Sequence, residues 1–408
     1  MDVVTRKPTR GEQMLALRKR RMAETHPFLR GGFRPFFFGA ALWAVIAIAL
    51  WLFQLAGAIL LPSGFEGVAW HRHEMLFGFV GAAVSGFVLT AIPNWTGRLP
   101  IAGKPLLALF GLWAAARIAV FFSSLVGTPL AAILDVGLYW TLAALAAREV
   151  LASKNRNLPI VALIFLFGVA DAADYAALAG LLAADLGWKA AIALVVLMIS
   201  VIGGRIIPSF TRNWIAKRKL GGKLPTQPQS LDLLVIASTA LALLLWLAFA
   251  DRHLTGYALI LAAASQALRL SRWGGLRTLA DPLAAILHLG YLWLPVGLAL
   301  LGLSVAGAGV AASAGIHALT AGAMTTMILA VMTRASLGHT GRELAAAPLT
   351  VAAYACVTLG AALRVAASLT GPYAALLDLA GLFWAAALLL FLFVYAPILW
   401  RPRLGESA

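Results

Sequence analysis

Runs of about 20 apolar residues recur along the whole chain, and they limit what it can fold into more than any other feature. A helix of that length crosses a hydrocarbon core of about 30 Å. About twelve runs are predicted, at residues 36–61, 74–95, 105–126, 129–147, 158–182, 189–210, 230–250, 254–270, 281–304, 312–333, 347–369 and 373–400. With 62% hydrophobic and 12% charged residues, the composition is typical of membrane proteins. The sequence therefore predicts an all-α polytopic membrane bundle.

Positive charge alternates between the loops. Twenty-six Lys and Arg residues precede the first run, lie in every second loop or follow the last run, whereas three lie in the other loops. Because positively charged loops stay cytoplasmic, we expect a membrane protein with both termini cytoplasmic. It would comprise a basic segment at 1–35, a twelve-helix domain at 36–400 and a tail at 401–408. The net charge of +16 then reflects topology and the anionic inner leaflet, and nucleic-acid binding is unsupported.

The ends of the second, sixth and tenth predicted spans are similar in sequence. Each end has a threonine close to an arginine, and the pairs are Thr96 with Arg98, Thr211 with Arg212, and Thr340 with Arg342. A recurrence at every fourth helix predicts three four-helix repeats. Two interpretations stay open: a polar collar that admits an anion or a proton, or caps for the free carbonyls at helix C-termini. Likewise, Arg98, Arg205, Arg334 and Arg342 would either hold anionic groups or fix the topology.

Ionisable residues inside the apolar runs are costly in hydrocarbon and are normally paired. Arg117 and Asp135 flank one predicted hairpin, and Arg364 and Asp378 flank another, so each pair is expected to meet. A structural ion pair is the favoured interpretation, and binding of cofactor carboxylates is the alternative. Asp171 and Asp174 share one helix face with no cation nearby in the sequence, which indicates a polar path for protons or a cation.

Histidines recur at the edge of the predicted membrane. His71 and His73 lie just before the second span and His317 opens the tenth, all on the predicted outer side. Neutral imidazole nitrogen is a ligand of both haem iron and copper. Residues two apart on a helix lie about 200° apart, so His71 and His73 are not expected to share one iron. His288, deeper in the ninth span, would belong to a separate site.

Seven blocks of residues carry a resemblance to a known family: 33–37, 71–79, 93–97, 204–213, 287–291, 317–320 and 332–342. They include the polar residues Asn94, Thr96, Arg205, Thr211, Asn213, Arg334, His339, Thr340 and Arg342. These blocks resemble the signature of the NnrS family and span most of the chain. The resemblance implies a twelve-helix bacterial inner-membrane protein that contains haem and copper and is connected with nitric oxide stress and denitrification.

A looser resemblance concerns architecture. Haem-copper oxidases also arrange twelve helices in three groups of four, with a bis-histidine haem between the second and tenth helices. Here those helices carry His71, His73 and His317, whereas the sixth and seventh carry no histidine for a copper centre. This similarity concerns the fold alone.

The sequence thus favours a membrane protein of the nitrosative stress response that binds or turns over nitric oxide or nitrosylated iron. His317 and one of His71 or His73 would ligate haem b, with Glu74 as an orienting partner, and the lipid bilayer is the expected partner. Catalysis stays open. The alternatives are a transporter of a metal, a haem-related ligand or an anion, with Asp171 and Asp174 in its path, and a non-enzymatic sensor or scaffold.

Overall fold

The computed structural model describes residues 9–225, 229–371 and 374–406. Within these residues the chain is helical and forms no strand. Eleven of the described helices are long and apolar enough to cross a membrane. We number them spans 1–7 and 9–12, with the bounds Phe33–Leu55, Val68–Thr96, Lys104–Phe121, Thr128–Ala152, Leu158–Leu178, Leu186–Lys217, Ser230–Ala248, Pro282–Val305, Ala312–His339, Pro348–Thr370 and Ala374–Trp400. The predicted polytopic helical bundle is confirmed.

Span 8 is the helix His253–Ser271, which lies where the sequence predicts a membrane crossing at 254–270. It is not apolar enough to count among the eleven, because it carries Gln266 and Arg269 on its buried face. Arg269, which the charge pattern places at the membrane surface, is instead 1% exposed. Its guanidinium donates to the Asp232 carboxylate at 2.7 Å and to the Ser200 main-chain oxygen at 2.7 Å. This polar network ties span 8 to spans 6 and 7.

The termini add little to the bundle. An N-terminal helix, Arg10–Ala23, and a short 3-10 turn, Pro27–Leu29, precede span 1. Within the predicted terminal segments, residues 1–8 and 407–408 lie outside the described residues, as does residue 373 at the start of the predicted twelfth span. We call the end of the bundle that holds the Lys- and Arg-rich loops the basic end, and the opposite one the histidine end.

Spans 2, 6 and 10 each contain a π-helical segment, at Glu74–Val80, Ile199–Gly203 and Ala318–Met324. In spans 2 and 10 the π segment follows an α-helical lead of six residues, Val68–His73 and Ala312–His317. These three spans, together with span 9, are more than half buried, whereas the other seven of the eleven are half buried or less. A recurrence at every fourth span supports the threefold repeat, and π turns are often found at functional sites.

A π turn displaces main-chain carbonyls from the regular helical ladder, so other donors must satisfy them. In span 2 the indole Nε1 of Trp113 donates to the Gly78 oxygen at 3.0 Å, and the Tyr139 hydroxyl donates to the Phe77 oxygen. In span 6, Arg269 donates to the oxygen of Ser200. Buried polar side chains of neighbouring spans therefore hold the π segments of spans 2 and 6 in place.

Candidate functional site

His73 is fully buried at the histidine end, at the last position before the π segment of span 2. Its Nδ1 lies 2.9 Å from Oδ2 of Asp174 on span 5, and its Nε2 lies 3.0 Å from Oδ2 of Asp135 on span 4. Oδ1 of Asp171 is 3.9 Å from the same Nε2. The predicted polar pair on span 5 thus faces an imidazole, and three spans meet at one buried polar cluster.

Arg117 on span 3 completes this cluster. Its guanidinium donates to Oε2 of Glu74 at 2.7 Å and also forms an ion pair with Asp135. The predicted contact between Arg117 and Asp135 across the hairpin is confirmed. Glu74 accepts a further hydrogen bond from the Trp43 indole at 2.6 Å. Both hydrogen bonds reach Oε2, and Oε1 is buried without a partner, so the role of Glu74 as orienter of a haem-binding imidazole stays a prediction.

Aromatic rings enclose the cluster. The Phe65 ring stacks on the His73 imidazole with 4.3 Å between ring centroids, and Tyr175 and Phe77 also contact it at 5.1 Å. Such packing keeps water away and strengthens electrostatic interactions among the groups inside.

His71 lies on another face of span 2 and takes part in a second arrangement. Its ring stacks on Trp51 with 4.8 Å between centroids at an angle of 19°, and its Nδ1 is buried without a hydrogen-bond partner. His71 and His317 lie at the starts of spans 2 and 10, both at the histidine end. His71 and His73 contact different spans, and that they serve different sites stays a prediction.

His317 is oriented by its own helix. Its Nδ1 lies 2.8 Å from the Ser313 main-chain oxygen, one turn earlier. A carbonyl oxygen can only accept, so Nδ1 carries the proton and Nε2 keeps its lone pair. A hydrogen bond of this kind is what fixes the ring and tautomer of metal-ligating histidines. The sequence analysis missed this contact, and no sequence signal indicates it, because any residue at position 313 would supply the main-chain oxygen.

Arg364 on span 11 also belongs to this second arrangement. Span 11 packs against the α-helical lead of span 10 that ends at His317, and Arg364 donates to the Ser368 hydroxyl at 2.6 Å. The predicted ion pair between Arg364 and Asp378 is wrong, because the Asp378 side chain is exposed at the surface of the bundle and Arg364 has Ser368 as its partner. A hairpin fixes the depth of two residues but leaves their rotation about each helix axis undetermined.

The start of span 2 differs from the prediction in a way that matters for the site. The helix begins at Val68 rather than at residue 74, so His71 and His73 lie within the membrane-spanning helix. The buried partners of His73 stabilise polar groups at this depth, which a hydropathy window scores as unfavourable.

His288 lies near the basic end, apart from the other histidines. The Thr211 hydroxyl donates to the Ile207 oxygen at 2.9 Å and lies 2.8 Å from Nε2 of His288. Since the hydroxyl proton is engaged, Nε2 of His288 donates to it, and Nδ1 keeps a lone pair that is buried without a partner. The expectation of a separate location for His288 agrees with this placement.

The three threonines predicted to form a collar each make the same kind of hydrogen bond. Each hydroxyl donates to the main-chain oxygen four residues earlier: Thr96 to Ile92 at 2.8 Å, Thr211 to Ile207 at 2.9 Å, and Thr340 to Ser336 at 2.6 Å. The neighbouring arginines diverge, because Arg98 pairs with Glu149, Arg212 donates to the Pro225 oxygen, and Arg342 contacts the Thr340 oxygen. The arginines do not converge, so these residues do not form a shared polar collar. Thr340 bonds to an oxygen in the last turn of its helix, as the capping interpretation expects, whereas Thr211 lies inside the helix Gly204–Lys217, which continues beyond the predicted end of the sixth span at residue 210.

The remaining predicted residues near the basic end have separate environments. Arg205 donates to the side chain of Asn157 at 2.8 Å, and the Arg334 guanidinium lies 4.1 Å from the centre of the Phe210 ring. Asn94 and Asn213 are exposed. His339 contacts the Phe33 ring at 5.4 Å. The structure does not bring these residues together with His71, His73 or His317.

Two cavities lie away from His71, His73 and His317. One, of about 250 Å³, is at the basic end, and its lining includes Arg30, Arg34, Asn94, Arg98, His339 and Arg403. The other, of about 90 Å³, is apolar and lies between spans 2, 6 and 10, where Met324, Met327 and Met332 help to line it. These methionines therefore fill and border apolar space, as methionine in a helix usually does.

The hydrogen bonds of Thr96 and Thr211 lead us to expect different effects of substitution on stability. Thr211→Val is expected to destabilise the protein more than Thr96→Val does. Both lose one hydrogen bond, at about 1 kcal/mol, but Thr211→Val also leaves Nε2 of His288 unpaired and buried, at about 1–3 kcal/mol more. Thermal unfolding of both variants in one detergent measures the difference. Equal losses of stability would show that the contact with His288 contributes nothing.

A family model described as NnrS protein matches residues 27–403, which covers every span and each histidine of both arrangements. No curated protein sequence matches the chain.

Proposed function

We propose, because this chain belongs to the NnrS family, that it is a haem protein of the bacterial inner membrane that binds or turns over nitric oxide or a nitrosylated iron species. Membership of this family supports a role in the nitric oxide response in general. The proposal includes a haem b site at the histidine end, and it keeps both termini on the cytoplasmic side, as the loop charges predict.

The observation that carries the proposal is that His71 on span 2 and His317 on span 10 each keep an imidazole nitrogen available at the histidine end of the bundle. His71 has a buried nitrogen without a partner, and His317 keeps a free Nε2 because Nδ1 donates to Ser313. Two imidazole nitrogens with available lone pairs are the donor set that a bis-histidine haem requires. In this proposal His71, not His73, is the partner of His317.

Neighbouring side chains suit the same group. Arg364 lies on span 11, which packs against the helix that ends at His317, and has a Ser368 hydroxyl as partner, so it would bind a haem propionate in a charge-assisted hydrogen bond. Trp51 stacks on His71 and holds the plane of its ring. Haem b bound there would supply a one-electron redox centre. The residues around it would orient the two imidazoles and neutralise a propionate.

Copper, which the family resemblance also implies, finds no comparable donor set among the described residues. Cu(I) prefers thiolate, thioether and imidazole ligands. The chain has one cysteine, Cys356, and the buried methionines of span 10 line an apolar cavity. The proposal therefore assigns no residue to copper.

A spectrum of the purified protein tests the proposal. Full-length protein in detergent is expected to show a Soret band and α and β bands in the reduced-minus-oxidised difference, with about one haem per chain. Cells that express it are expected to survive a nitric oxide donor better than cells that lack it. A colourless protein that nevertheless transports a substrate into liposomes would overturn the haem proposal in favour of transport.

A further inference from the structure

We propose that His73, Asp135 and Asp171 bind one divalent metal ion of the class of Mn²⁺, Fe²⁺ and Zn²⁺, at a site separate from His71 and His317. The ion would join span 2 to spans 4 and 5 at the histidine end of the bundle. The proposal goes beyond the nitric oxide function and stands without it.

The donor atoms already converge. One nitrogen of His73 and one carboxylate oxygen each of Asp135 and Asp171 lie within 4.8 Å of one another, and all three residues are buried. Transition-metal ions hold such ligands at about 2.0–2.2 Å, so opposite ligands are about 4 Å apart. Shifts of less than ~1 Å would therefore close the site. One imidazole and two carboxylates form a nitrogen and oxygen set that suits these divalent ions better than soft Cu(I).

The outer partners of the donors are those of a metal site. Both ring nitrogens of His73 lie within hydrogen-bond distance of a carboxylate, Nδ1 of Asp174 and Nε2 of Asp135. A bound metal ion would take the place of the Nε2 proton, while Nδ1 would still donate to Asp174. Metal-ligating histidines almost always donate their second ring N–H to a carboxylate, a carbonyl or water. Arg117, in turn, holds Asp135.

The net charge of the buried cluster is an independent argument for a bound cation. Glu74, Asp135 and Asp171 are fully buried, and Arg117 is the cation that pairs with the first two of them. Asp174 is also buried and contacts His73. Even when both nitrogens of His73 are protonated, four buried carboxylates against two cations leave two negative charges in excess. An uncompensated charge in a membrane interior is expensive, and one divalent cation reduces this excess.

Asp171 gives the most direct indication of a missing ligand. Its side chain is fully buried, and both carboxylate oxygens lack a hydrogen-bond partner. Buried carboxylates are almost always hydrogen-bonded, paired or metal-bound. The nearest polar atom of His73 is 3.9 Å away, too far for a hydrogen bond. A metal ion between Asp171 and His73 would satisfy both groups.

Binding of Mn²⁺ tests the proposal. Full-length protein in detergent is treated with a chelator, dialysed and titrated with Mn²⁺, and the free ion is followed by its six-line EPR signal. Wild-type protein is expected to bind one Mn²⁺ per chain, and Zn²⁺ is expected to displace it. The metal content of the protein as purified is measured in parallel.

The informative variant is Asp171→Asn, because Asp171 makes no hydrogen bond that the substitution would break. It is expected to bind Mn²⁺ at least about tenfold more weakly, with an unchanged absorption spectrum. The matched control is Asp378→Asn, the same change at an exposed position of span 12, which is expected to bind as wild type. The proposal is overturned if chelated wild-type protein takes up neither Mn²⁺ nor Zn²⁺ and contains no metal as purified, or if Asp171→Asn binds as tightly as wild type. If Asp171→Asn does not fold, the wild-type measurements alone decide.

Discussion

Replacing His317 with alanine is expected to remove most haem from the purified protein. Span 10 offers no second imidazole at that depth, since its other histidine, His339, lies at the basic end. Loss of even an outer partner of a metal ligand lowers affinity about 10–100-fold, so loss of the ligand itself should lower the haem content at least about tenfold. The haem-to-protein ratio of purified wild type and variant, from the reduced-minus-oxidised spectrum, measures the effect.

Two further variants separate the histidines of span 2. His71→Ala is expected to lose haem as His317→Ala does, whereas His73→Ala should retain more haem, because His73 faces the carboxylates of spans 4 and 5. The matched control is His253→Ala. His253 also contacts a main-chain oxygen through Nδ1, that of Ala306 at 3.0 Å, but it is exposed, and its loss should leave the spectrum unchanged. Full haem occupancy in His71→Ala would refute the assignment of that residue.

Arg117→Met is expected to be the most destabilising single substitution in the polar cluster. Removing one partner of a buried ion pair costs about 3–5 kcal/mol, and Arg117 pairs with both Glu74 and Asp135, each fully buried. The folded yield after detergent extraction and the temperature of thermal unfolding should both fall well below the wild-type values. The complete burial of this ion pair indicates that its role is structural.

A double variant tests whether removing Arg117 together with Asp135 restores stability that Arg117→Met loses. Arg117→Met combined with Asp135→Leu should be more stable than Arg117→Met alone, because one of the two unpaired carboxylates is removed with its partner. Rescue should stay partial, since Glu74 remains unpaired. The exposed pair of Arg252 and Asp251 provides the control: Arg252→Met should cost no more than about 1 kcal/mol. Strictly additive losses for Arg117 and Asp135 would mean that their contact does not contribute to stability.

The sequence predicted those parts of the fold that depend on position along one helix. The apolar runs located the spans to within several residues, since burying about 20 apolar residues in a bilayer leaves few other solutions. The same reasoning found that Arg117 meets Asp135, because two ionisable groups at equal depth on adjacent helices gain by pairing. The opposed faces of His71 and His73 also followed from helical geometry alone.

Features that depend on how helices rotate and pack were not predictable in this way. Depth alone suggested a pair between Arg364 and Asp378, yet rotation about the helix axes turns Asp378 outwards, and Arg364 has Ser368 as its partner. Arg269 was counted as a surface charge because its partners, Asp232 and Ser200, lie far away in sequence. The positions of Asp171 and Asp174 around His73 could not be predicted for the same reason, because both lie far from His73 in the sequence.

The π segments of spans 2 and 10 change the relation between residue spacing and side-chain direction that a regular helix has. In an α-helix each residue advances the side-chain direction by about 100°, so the number of residues between two positions fixes their relative orientation. One additional residue in a π turn offsets that orientation for everything beyond it. His71 and His317 at one end and Thr96 and Thr340 at the other can therefore face directions that an uninterrupted helix of equal length would not allow. Deletion of one residue from Glu74–Val80 would then rotate one half of span 2 relative to the other by about 100°. This rotation would turn His71 away from span 10, although the composition of the span would hardly change.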